Sequence, residues 1–318
     1  MEKLLILGGT GIVGTASALE ALDKGFDVTV SGIDKTPPKH AKFVHANDLD
    51  KLKKNWDAVF DVYTFGRKNA EQTHRRFKDK TGHLFVMSST LVYDRDKLSY
   101  ERIKPNHKLA EKGSQGGYVD HKLELENYWD SVDDMNWTIL RPYHIVGKGS
   151  YLGCLPPHNR DPHLIHYIRR GKIDLCDGGR VPINIVNPKD IGKTVLSTIG
   201  RNFGKKYNVV NPEEVIARDY YLKIAELLGR DLEIGNISGE NIWDSGDWKL
   251  TTLPHLYDVS DLEEDRIYVP STGLRESLRE AMDNHPFPIK KDNTPVHKRM
   301  HMQPEPVMHS YFSDSTPK

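Results

Sequence analysis

Short apolar segments and stretches of helical periodicity alternate along the first half of the chain. A short apolar run suits a strand buried on both faces of a sheet, and apolar residues three and four positions apart suit one face of a helix. The segments with the strand pattern are Leu4–Leu7, Asp27–Val30, Lys42–His45, Asp57–Tyr63 and His83–Ser89. A helical pattern begins at Thr15, and another covers Asn69–Lys80. This alternation predicts an α/β fold with a doubly wound parallel sheet, helices on both faces and right-handed crossovers.

A glycine-rich turn joins the first strand to the first helix. Glycines spaced three residues apart let the backbone approach a pyrophosphate, and the N-terminus of the following helix supplies free N–H groups and partial positive charge. Such a triplet alone would also suit an ordinary tight turn, but the strand before it and the helix after it favour a dinucleotide site. The predicted cofactor contacts in this turn are Gly8, Thr10, Gly11, Ile12, Val13 and Gly14.

The end of the second strand indicates which dinucleotide binds. An acidic residue there binds the 2′-hydroxyl of the adenosine ribose in NAD, whereas a cation accommodates the 2′-phosphate of NADP. This chain has Ser31 and Gly32 at the strand tip, followed by Asp34 and Lys35. The small residues leave room for a phosphate that Lys35 could neutralise, although Asp34 could still bind a ribose. The sequence therefore predicts NAD(P) with a slight lean to NADP, and cofactor contacts from Ser31, Gly32 and Lys35.

The candidate catalytic residues follow the fifth strand. Ser89 lies at its C-terminal end, where open α/β sheets place ligands. Tyr118 and Lys122 open a predicted helix that runs to Ser131, and their i, i+4 spacing puts both side chains on one helical face. An ammonium group lowers the pKa of a neighbouring phenol, which can then act as a general acid or base, and a serine hydroxyl can donate to the reacting oxygen. On its own, a Tyr-x-x-x-Lys spacing is usually a coincidence on a helix surface.

Six motifs nevertheless occur in a fixed order. They are Gly8-x-x-Gly11-x-x-Gly14, Ser-Ser-x-x-Val-Tyr at 88–93, Tyr118-x-x-x-Lys122, Trp-Thr-Ile-Leu-Arg-Pro at 137–142, Asp-Ile-Gly at 190–192 and Tyr-Asn-Val-Val-Asn-Pro-Glu-Glu at 207–214. Together they resemble the extended short-chain dehydrogenases/reductases of the NAD-dependent epimerase/dehydratase family. The resemblance implies a Rossmann-type domain with a smaller C-terminal substrate-binding lobe. It also implies that Ser89, Tyr118 and Lys122 form the catalytic set, with Lys122 holding the nicotinamide ribose as well. The further cofactor contacts that it implies are Asp48, Leu49, Val62, Tyr63, Ser88, Tyr118, Lys122, Pro142, Tyr143 and Ile145.

Departures from the family pattern bear on the reaction and on the substrate. Sugar-nucleotide 4,6-dehydratases and decarboxylating members of the family have acidic residues after the catalytic hydroxyl, where this chain has Thr90 and Leu91. Leucine cannot transfer a proton, so both reactions are disfavoured. Nucleotide-sugar members carry a diphosphate-binding arginine where this chain has Ile183. The predicted substrate contacts are Thr90, Tyr93, His144 and Arg180.

Composition narrows the classes of function. The 45 Lys and Arg residues equal the 45 Asp and Glu residues, so nothing global favours nucleic acid or an anionic membrane as a partner. Cys154 and Cys176 provide neither a disulfide framework nor a zinc motif, and we expect both to be buried thiols. The sequence has no membrane-length apolar run and no visible signal peptide, which predicts a cytoplasmic protein with a small-molecule substrate. No metal site is predicted, since His163 and His166 lack a third ligand.

The predicted domains follow the motifs. Residues 1–147 would form the NAD(P)-binding Rossmann domain, completed by about 187–212, and residues 148–186 and 213–290 would form the substrate-binding lobe. Residues 291–318 form a Pro/His/Met-rich tail. Proline at this density excludes a regular helix, and we expect an extended arm rather than a copper site.

The sequence thus predicts an NAD(P)-dependent oxidoreductase or epimerase. A hydride would pass between nicotinamide and a secondary alcohol or ketone of a sugar-like or other polar metabolite, and the sequence does not separate epimerisation from net reduction. The alternative is a cofactor-binding RNA-binding or regulatory protein on the same fold, against which the neutral charge and the complete catalytic set argue. By analogy with the family, a homodimer through the helices at Tyr118–Ser131 and Asn69–Lys80 is expected.

Overall fold

Seven parallel strands form the main sheet in the part of the chain that the structure describes. The structure is a computed structural model, and it describes residues 1–33, 36–52, 55–154, 158, 161–237 and 253–284. The described strands are β1 (Lys3–Leu7), β2 (Asp27–Gly32), β3 (Lys42–His45), β4 (Ala58–Asp61), β5 (Leu84–Met87), β6 (Trp137–Pro142), β7 (His144–Ile145), β8 (Lys172–Cys176), β9 (Pro182–Ile183), β10 (Ile185–Val186), β11 (Lys205–Val209), β12 (Val215–Ile216) and β13 (Glu233–Ile237). The described helices are α1 (Ile12–Asp23), α2 (Gly66–Phe77), α3 (Gly117–Asp130), α4 (Leu164–Arg169), α5 (Pro188–Thr198), α6 (Ala217–Leu227), α7 (Ser260–Glu264) and α8 (Leu274–Asp283).

The order of the main sheet contains one switch point in the direction of winding. The strands run β11-β6-β5-β4-β1-β2-β3, and every neighbouring pair is parallel. The direction of winding changes between β1 and β4, where the register places Leu7 of β1 between Ser31 of β2 and Asp61 of β4. Sheets of this topology bind ligands outside the carboxyl ends of the strands at such a switch point. The predicted doubly wound parallel sheet is confirmed.

Hydrophobic side chains cover both faces of this sheet. Along β1, Leu4 and Ile6 join the core on one face, and Leu5 and Leu7 join the core on the other, as the two-residue period of a strand requires. Residues of α1 and α5 complete the first core, and residues of α2 and α3 complete the second. The carboxyl edge of the sheet is therefore held between two helical layers, with α1 and α3 on opposite faces.

Helix α5 ties the C-terminal part of the chain to the sheet. An added Cβ on Gly192 would lie 2.7 Å from Cα of Ser17 in α1, so glycine permits the two helices to pack closely. Asp190 is fully buried and accepts hydrogen bonds from the Tyr268 hydroxyl at 2.9 Å and from the backbone N–H of Thr272 at 2.8 Å. The aspartate of the Asp-Ile-Gly motif thus fixes the chain that follows α7.

Two strands end earlier than their apolar patterns predict. The fourth strand was expected to reach Tyr63, but β4 ends at Asp61, because an Asp61 carboxylate oxygen accepts the N–H of Thr64 at 2.9 Å and turns the chain. The fifth was expected to reach Ser89, but β5 ends at Met87. There the Ser89 side chain caps a short 3-10 turn instead of continuing the strand.

The remaining expectations concern larger divisions of the chain. Met1–Phe287 form one compact unit, so the boundary between a Rossmann domain and a substrate lobe stays a prediction. The Pro/His/Met-rich tail lies outside the described residues.

Cys154 and Cys176 are buried, as expected. Each helix within the described ranges is too short or too polar to cross a lipid bilayer.

Candidate active site

The glycine turn forms a cradle of backbone N–H groups at the start of α1. Gly8 has a φ of +79°, a conformation that favours glycine, and the N–H of Gly11 donates to the Gly8 carbonyl at 3.0 Å. Among the described residues no side chain caps α1, and its first turn carries no acidic residue. The N–H of Gly9 likewise donates to the carbonyl of Ser31 at 2.9 Å, so the groups available to an anion are the first N–H groups of α1 together with the positive end of the helix dipole. The pyrophosphate of a dinucleotide fits this cradle.

Gly14 leaves no space for a side chain beside the cradle. An added Cβ would lie 2.3 Å from the carbonyl oxygen of Gly8 and 2.6 Å from Cα of Gly9. Because both neighbours are backbone atoms, we expect Gly14→Ala to displace the turn. The affinity for NAD should fall by about tenfold or more, and the free energy of unfolding should fall by about 1–3 kcal/mol. Calorimetric titration with NAD and urea denaturation measure the two effects.

Gly25→Ala provides a matched control at the other end of α1. Gly25 has a φ of +81° and open space around it, so alanine there strains the backbone without a collision. We expect a cost of about 1 kcal/mol in stability and no change in NAD affinity. Wild-type NAD affinity in the Gly14→Ala protein would show that the turn does not hold the cofactor.

The strand tip at the predicted adenosine end is tightly packed. Ser31 is fully buried, and its hydroxyl has no hydrogen-bond partner within the described part of the chain. Gly32 makes room for Thr10, because an added Cβ would lie 2.3 Å from Thr10 Oγ1. Lys35, on which the lean to NADP relied, lies outside the described residues. The described residues at this end therefore do not distinguish the two dinucleotides.

Of the other residues predicted to contact the cofactor here, two lie at the surface and two are buried in the core. Asp48 forms an exposed ion pair with Lys51 at 2.7 Å, and Ile12 in the first turn of α1 is exposed. Leu49 and Val13 are buried in the two cores. The side chains of Leu49 and Val13 pack against the sheet, so any contact with a ligand would come from their backbone.

Lys122 lies buried over the carboxyl ends of β4 and β5. Its Nζ donates to the carbonyl of Met87, at the end of β5, at 2.8 Å and to the carbonyl of Thr64, just after β4, at 3.2 Å. The same atom lies 5.2 Å from the centroid of the Phe65 ring, within the range of a cation–π interaction. Burial lowers the pKa of Lys122 to about 8, against the opposing charges of nearby carboxylates. Lys122 is thus a buried amine whose pKa lies well below that of an exposed lysine.

Tyr118 occupies the first turn of α3, and 44% of its surface is exposed. Its ring centroid lies 5.3 Å from that of Phe65, the ring that also faces Lys122 Nζ. His121 stacks on Phe65 as well, at 4.9 Å between ring centroids. The structure therefore brings Tyr118 and Lys122 to one aromatic side chain at the carboxyl edge of the sheet.

Ser89 lies at the same edge and is nearly buried. Its Oγ accepts the N–H of Leu91 at 3.2 Å and, among the described residues, acts as an acceptor only, which leaves its proton for another partner. Thr90, the next residue, faces the core instead, where its hydroxyl donates to the carbonyl of Pro142 at 3.4 Å.

Ser88 and Tyr93 also turn their side chains into the core. The Ser88 hydroxyl donates to a carboxylate oxygen of Glu126 at 2.5 Å, and the Tyr93 hydroxyl donates to Asn208 Oδ1 at 2.6 Å. Both residues are buried, Tyr93 with 2% of its surface exposed. The side chains of Ser88, Thr90 and Tyr93 thus have hydrogen-bond partners inside the protein. That Ser88 contacts the cofactor and that Thr90 and Tyr93 contact the substrate stay predictions.

Glu126 of α3 and Arg141 of β6 form a buried ion pair. The guanidinium donates to the two carboxylate oxygens at 2.9 and 2.5 Å, and the two side chains are 0% and 1% exposed. Lys206 Nζ lies 3.3 Å from the same carboxylate. Against the effect of burial, the hydrogen bonds and charge of Arg141 hold the pKa of Glu126 below its usual value. The arginine of the Trp-Thr-Ile-Leu-Arg-Pro motif therefore fixes α3 to the sheet.

Tyr63 lies directly beside the glycine turn. An added Cβ on Gly8 would lie 3.2 Å from Cβ of Tyr63, and the N–H of Val62 donates to the carbonyl of Leu7 at 3.1 Å. Tyr63 keeps 39% of its surface exposed. The segment after β4 thus forms one wall of the predicted cofactor site.

The remaining predicted residues lie after β6 and β8. Those after β6 are Pro142, Tyr143, His144 and Ile145. His144 Nε2 lies 3.3 Å from the hydroxyl of Tyr220 in α6, which connects this segment to the C-terminal part of the chain. Arg180 has a side chain that is 65% exposed, and its guanidinium lies 3.5 Å from Asp177.

Asp61, Thr64, Phe65 and Glu126 are site residues that sequence reasoning missed. A weak signal existed for two of them. Asp61 is an acidic residue in an otherwise apolar strand, and Glu126 follows Tyr118 and Lys122 at the next helical repeat. Nothing in the sequence pattern indicates that the Phe65 ring contacts both Tyr118 and Lys122.

Known structures share this architecture, although no protein-family profile and no curated protein matches the chain. The UDP-Glc/GlcNAc 4-epimerase from Campylobacter jejuni is 14% identical, with a TM-score of 0.72 over 89% of this chain and 98% of that one. The Bordetella bronchiseptica enzyme WbmH, in complex with NAD+, is 16% identical, with a TM-score of 0.69 over 89% and 98%. The UDP-glucuronic acid 4-epimerase from Bacillus cereus, in complex with NAD, is 14% identical, with a TM-score of 0.67 over 87% and 94%. The chain has the epimerase fold.

This likeness confirms the predicted Rossmann-type α/β fold. At 14–16% identity it establishes the architecture, and the chemistry must be argued from the residues of this chain. Two of the three structures hold NAD, and the lean to NADP gains no support from them.

Proposed function

We propose that the protein is an NAD(P)-dependent oxidoreductase or epimerase that acts on a secondary alcohol or ketone of a polar, sugar-like metabolite. One observation carries the proposal: buried Lys122 and exposed Tyr118 contact the same Phe65 ring at the carboxyl edge of the sheet. A buried amine with a pKa near 8 is unusual away from functional sites. The glycine cradle adjoins this edge through the segment after β4.

Each side chain would have a distinct role. A nicotinamide dinucleotide held at the glycine cradle would supply the hydride donor or acceptor. Tyr118 would take the hydroxyl proton of an alcohol as its carbon loses hydride, and would return a proton in the reverse direction. Ser89 would donate its free O–H to the same oxygen. Lys122, as an ammonium, would lower the pKa of Tyr118 and donate to the ribose.

The residues that follow Ser89 and those near Arg180 limit the kinds of reaction and substrate that suit the site. Thr90 is bound in the core and Leu91 is apolar, so no acid follows Ser89 to expel water or support decarboxylation. The Campylobacter jejuni and Bacillus cereus epimerases are named for UDP-sugars. In this chain Ile183 is fully buried, and Arg180 is exposed and paired with Asp177, which makes a nucleoside diphosphate sugar the less favoured substrate. The homodimer through α2 and α3 stays a prediction.

Mass spectrometry of the ligand released from purified, denatured protein tests the proposal. We expect stoichiometric NAD or NADP, since the cradle and Lys122 both favour retention of a dinucleotide. A panel of ketones and nucleotide sugars, offered with both cofactors, then identifies the substrate through nicotinamide absorbance or through NMR of an epimerised product. Protein that binds neither dinucleotide, but binds RNA with a strong salt dependence, would overturn the proposal in favour of the regulatory alternative.

A further inference from the structure

Asp61 is a buried carboxylate that the proposed mechanism does not use. It ends β4, has 1% of its surface exposed, and accepts hydrogen bonds from the N–H of Thr64 at 2.9 Å, the hydroxyl of Thr64 and the hydroxyl of Thr73 at 2.9 Å. All three donors are neutral, so they orient the carboxylate without cancelling its charge. Burial raises the pKa of Asp61 above its usual value, and the three donors and the charge of Lys122 oppose this rise.

The turn that Asp61 organises also holds Lys122. Thr64 binds Asp61 through its N–H and hydroxyl, and its carbonyl accepts from Lys122 Nζ at 3.2 Å. The second acceptor, the carbonyl of Met87, belongs to the neighbouring strand. Any change in the turn after Asp61 therefore moves one of the two carbonyl groups that hold the ammonium.

Two carboxylates act on the charge of Lys122, Asp61 from β4 and Glu126 from the next turn of α3. Glu126 is already bound by the guanidinium of Arg141 from β6 and lies 3.3 Å from Lys206 of β11. The negative charge of Glu126 is thus balanced by two cations. Asp61 has neutral hydrogen-bond donors, so its charge remains to act on Lys122 across a buried, weakly screened region.

We infer that Asp61 is a positioning residue for Lys122: its carboxylate shapes the turn that holds the ammonium group and supplies the countercharge that keeps this group protonated. The catalytic consequence rests on the proposed function, in which the ammonium form assists Tyr118. The charge state of Lys122 does not depend on any substrate, so it can be measured independently.

NMR titration of the full-length protein with ¹³Cε-labelled lysine tests the electrostatic part, with the Lys122 signal assigned by its loss in Lys122→Met. We expect the wild-type signal to titrate near pH 8. In Asp61→Asn the midpoint should fall by about one pH unit or more, because the countercharge is gone. Asparagine can replace the carboxylate because the Thr64 and Thr73 hydroxyls can rotate to accept from its amide. An unchanged midpoint would overturn the inference.

Two matched variants separate the effect of the Asp61 charge from the effects of a lost hydrogen bond and of a charge change elsewhere. Thr73→Val removes a donor to Asp61 without changing any charge, and Asp57→Asn removes an exposed carboxylate just before the other end of β4. Both should leave the Lys122 midpoint near the wild-type value, and an equal fall in either would contradict a specific role for the Asp61 charge. If Asp61→Asn does not fold, the ¹³Cγ shift of Asp61 in the wild type decides: a carboxylate at pH 7 supports the inference, and a carboxylic acid overturns it.

Measurements of enzyme activity distinguish a failure of this inference from a failure of the proposed function. Loss of the Lys122 proton should set an alkaline limb in kcat/KM near pH 8, and this limb should move to lower pH in Asp61→Asn by the amount seen in the titration. Asp61→Glu, which keeps the charge, should restore part of the shift. A moved titration in a protein without hydride transfer would refute the proposed function alone, whereas an active enzyme with an unmoved titration would refute the inference alone.

Discussion

Tyr118→Phe is expected to lower kcat for hydride transfer by about 10²- to 10⁴-fold while the affinity for NAD stays near the wild-type value. The substitution removes the hydroxyl that exchanges the substrate proton, but it keeps the ring that packs 5.3 Å from Phe65. Tyr118 is exposed at the start of α3, so the substitution changes no residue of the hydrophobic core. The defect should therefore appear in the chemical step rather than in folding or in cofactor binding.

Tyr100→Phe is the matched control for this experiment. Tyr100 is 73% exposed and lies in the loop between β5 and α3, so removal of its hydroxyl tests the general effect of the change. Single-turnover absorbance at bound nicotinamide measures the step directly. Full turnover in Tyr118→Phe with intact cofactor binding would exclude Tyr118 as the acid or base and would remove the main support for the proposed reaction.

Arg141→Met is expected to lower the free energy of unfolding by about 3–5 kcal/mol. The guanidinium donates to both oxygens of Glu126 and also to the Tyr93 hydroxyl at 2.9 Å and the Pro105 carbonyl at 2.7 Å. Methionine would leave Glu126 buried with the Ser88 hydroxyl at 2.5 Å and Lys206 Nζ at 3.3 Å as its remaining close partners. The cost arises because the buried carboxylate loses both hydrogen bonds from the guanidinium and has no water to replace them.

Urea denaturation measures this loss in the free energy of unfolding. Two further variants show whether the loss comes from the buried ion pair. Arg201→Met removes an exposed guanidinium that donates to backbone carbonyls, and it should change stability by less than about 1 kcal/mol. The double variant Glu126→Leu with Arg141→Met should recover much of the loss, since it removes both buried charges. A loss below about 1 kcal/mol in Arg141→Met alone would show that the ion pair does not stabilise the fold.

The sheet and the phosphate cradle could be predicted because both depend on local sequence. The apolar run at Leu4–Leu7 is buried on both faces, which its lack of alternation indicates. Gly8 and Gly14 occupy positions where a positive φ or a backbone contact excludes other residues, so their spacing carries structural information by itself. The pairing of Tyr118 and Lys122 likewise follows from the helical repeat.

The orientation of side chains at the end of β5 could not be predicted from the same information. Ser88, Thr90 and Tyr93 lie within six residues of sequence that also contain Ser89, yet their partners come from distant segments. The Tyr93 hydroxyl binds Asn208, which is 115 positions away along the chain. Polar residues near a catalytic serine suit a ligand or a buried network equally well until the long-range contacts are known.

The contacts of Phe65 could not be predicted from the sequence for a related reason. An aromatic residue between a strand and a helix usually contributes to the core, and this one contacts Tyr118, His121 and Lys122 instead. Its position depends on the turn after β4, which ends at Asp61 because of hydrogen bonds that a strand pattern does not contain.

That turn joins the glycine cradle to Lys122 through two consecutive residues. Tyr63 lies against Gly8 of the cradle, and the next residue, Thr64, holds Lys122. Only one peptide bond separates Tyr63, which lies beside Gly8, from Thr64, which binds Lys122. A movement of Gly8 is therefore expected to move the lysine as well. Under the proposed function, the position of the bound dinucleotide would therefore affect the alignment of Lys122 and Tyr118, and a misplaced cofactor would lower activity as well as affinity.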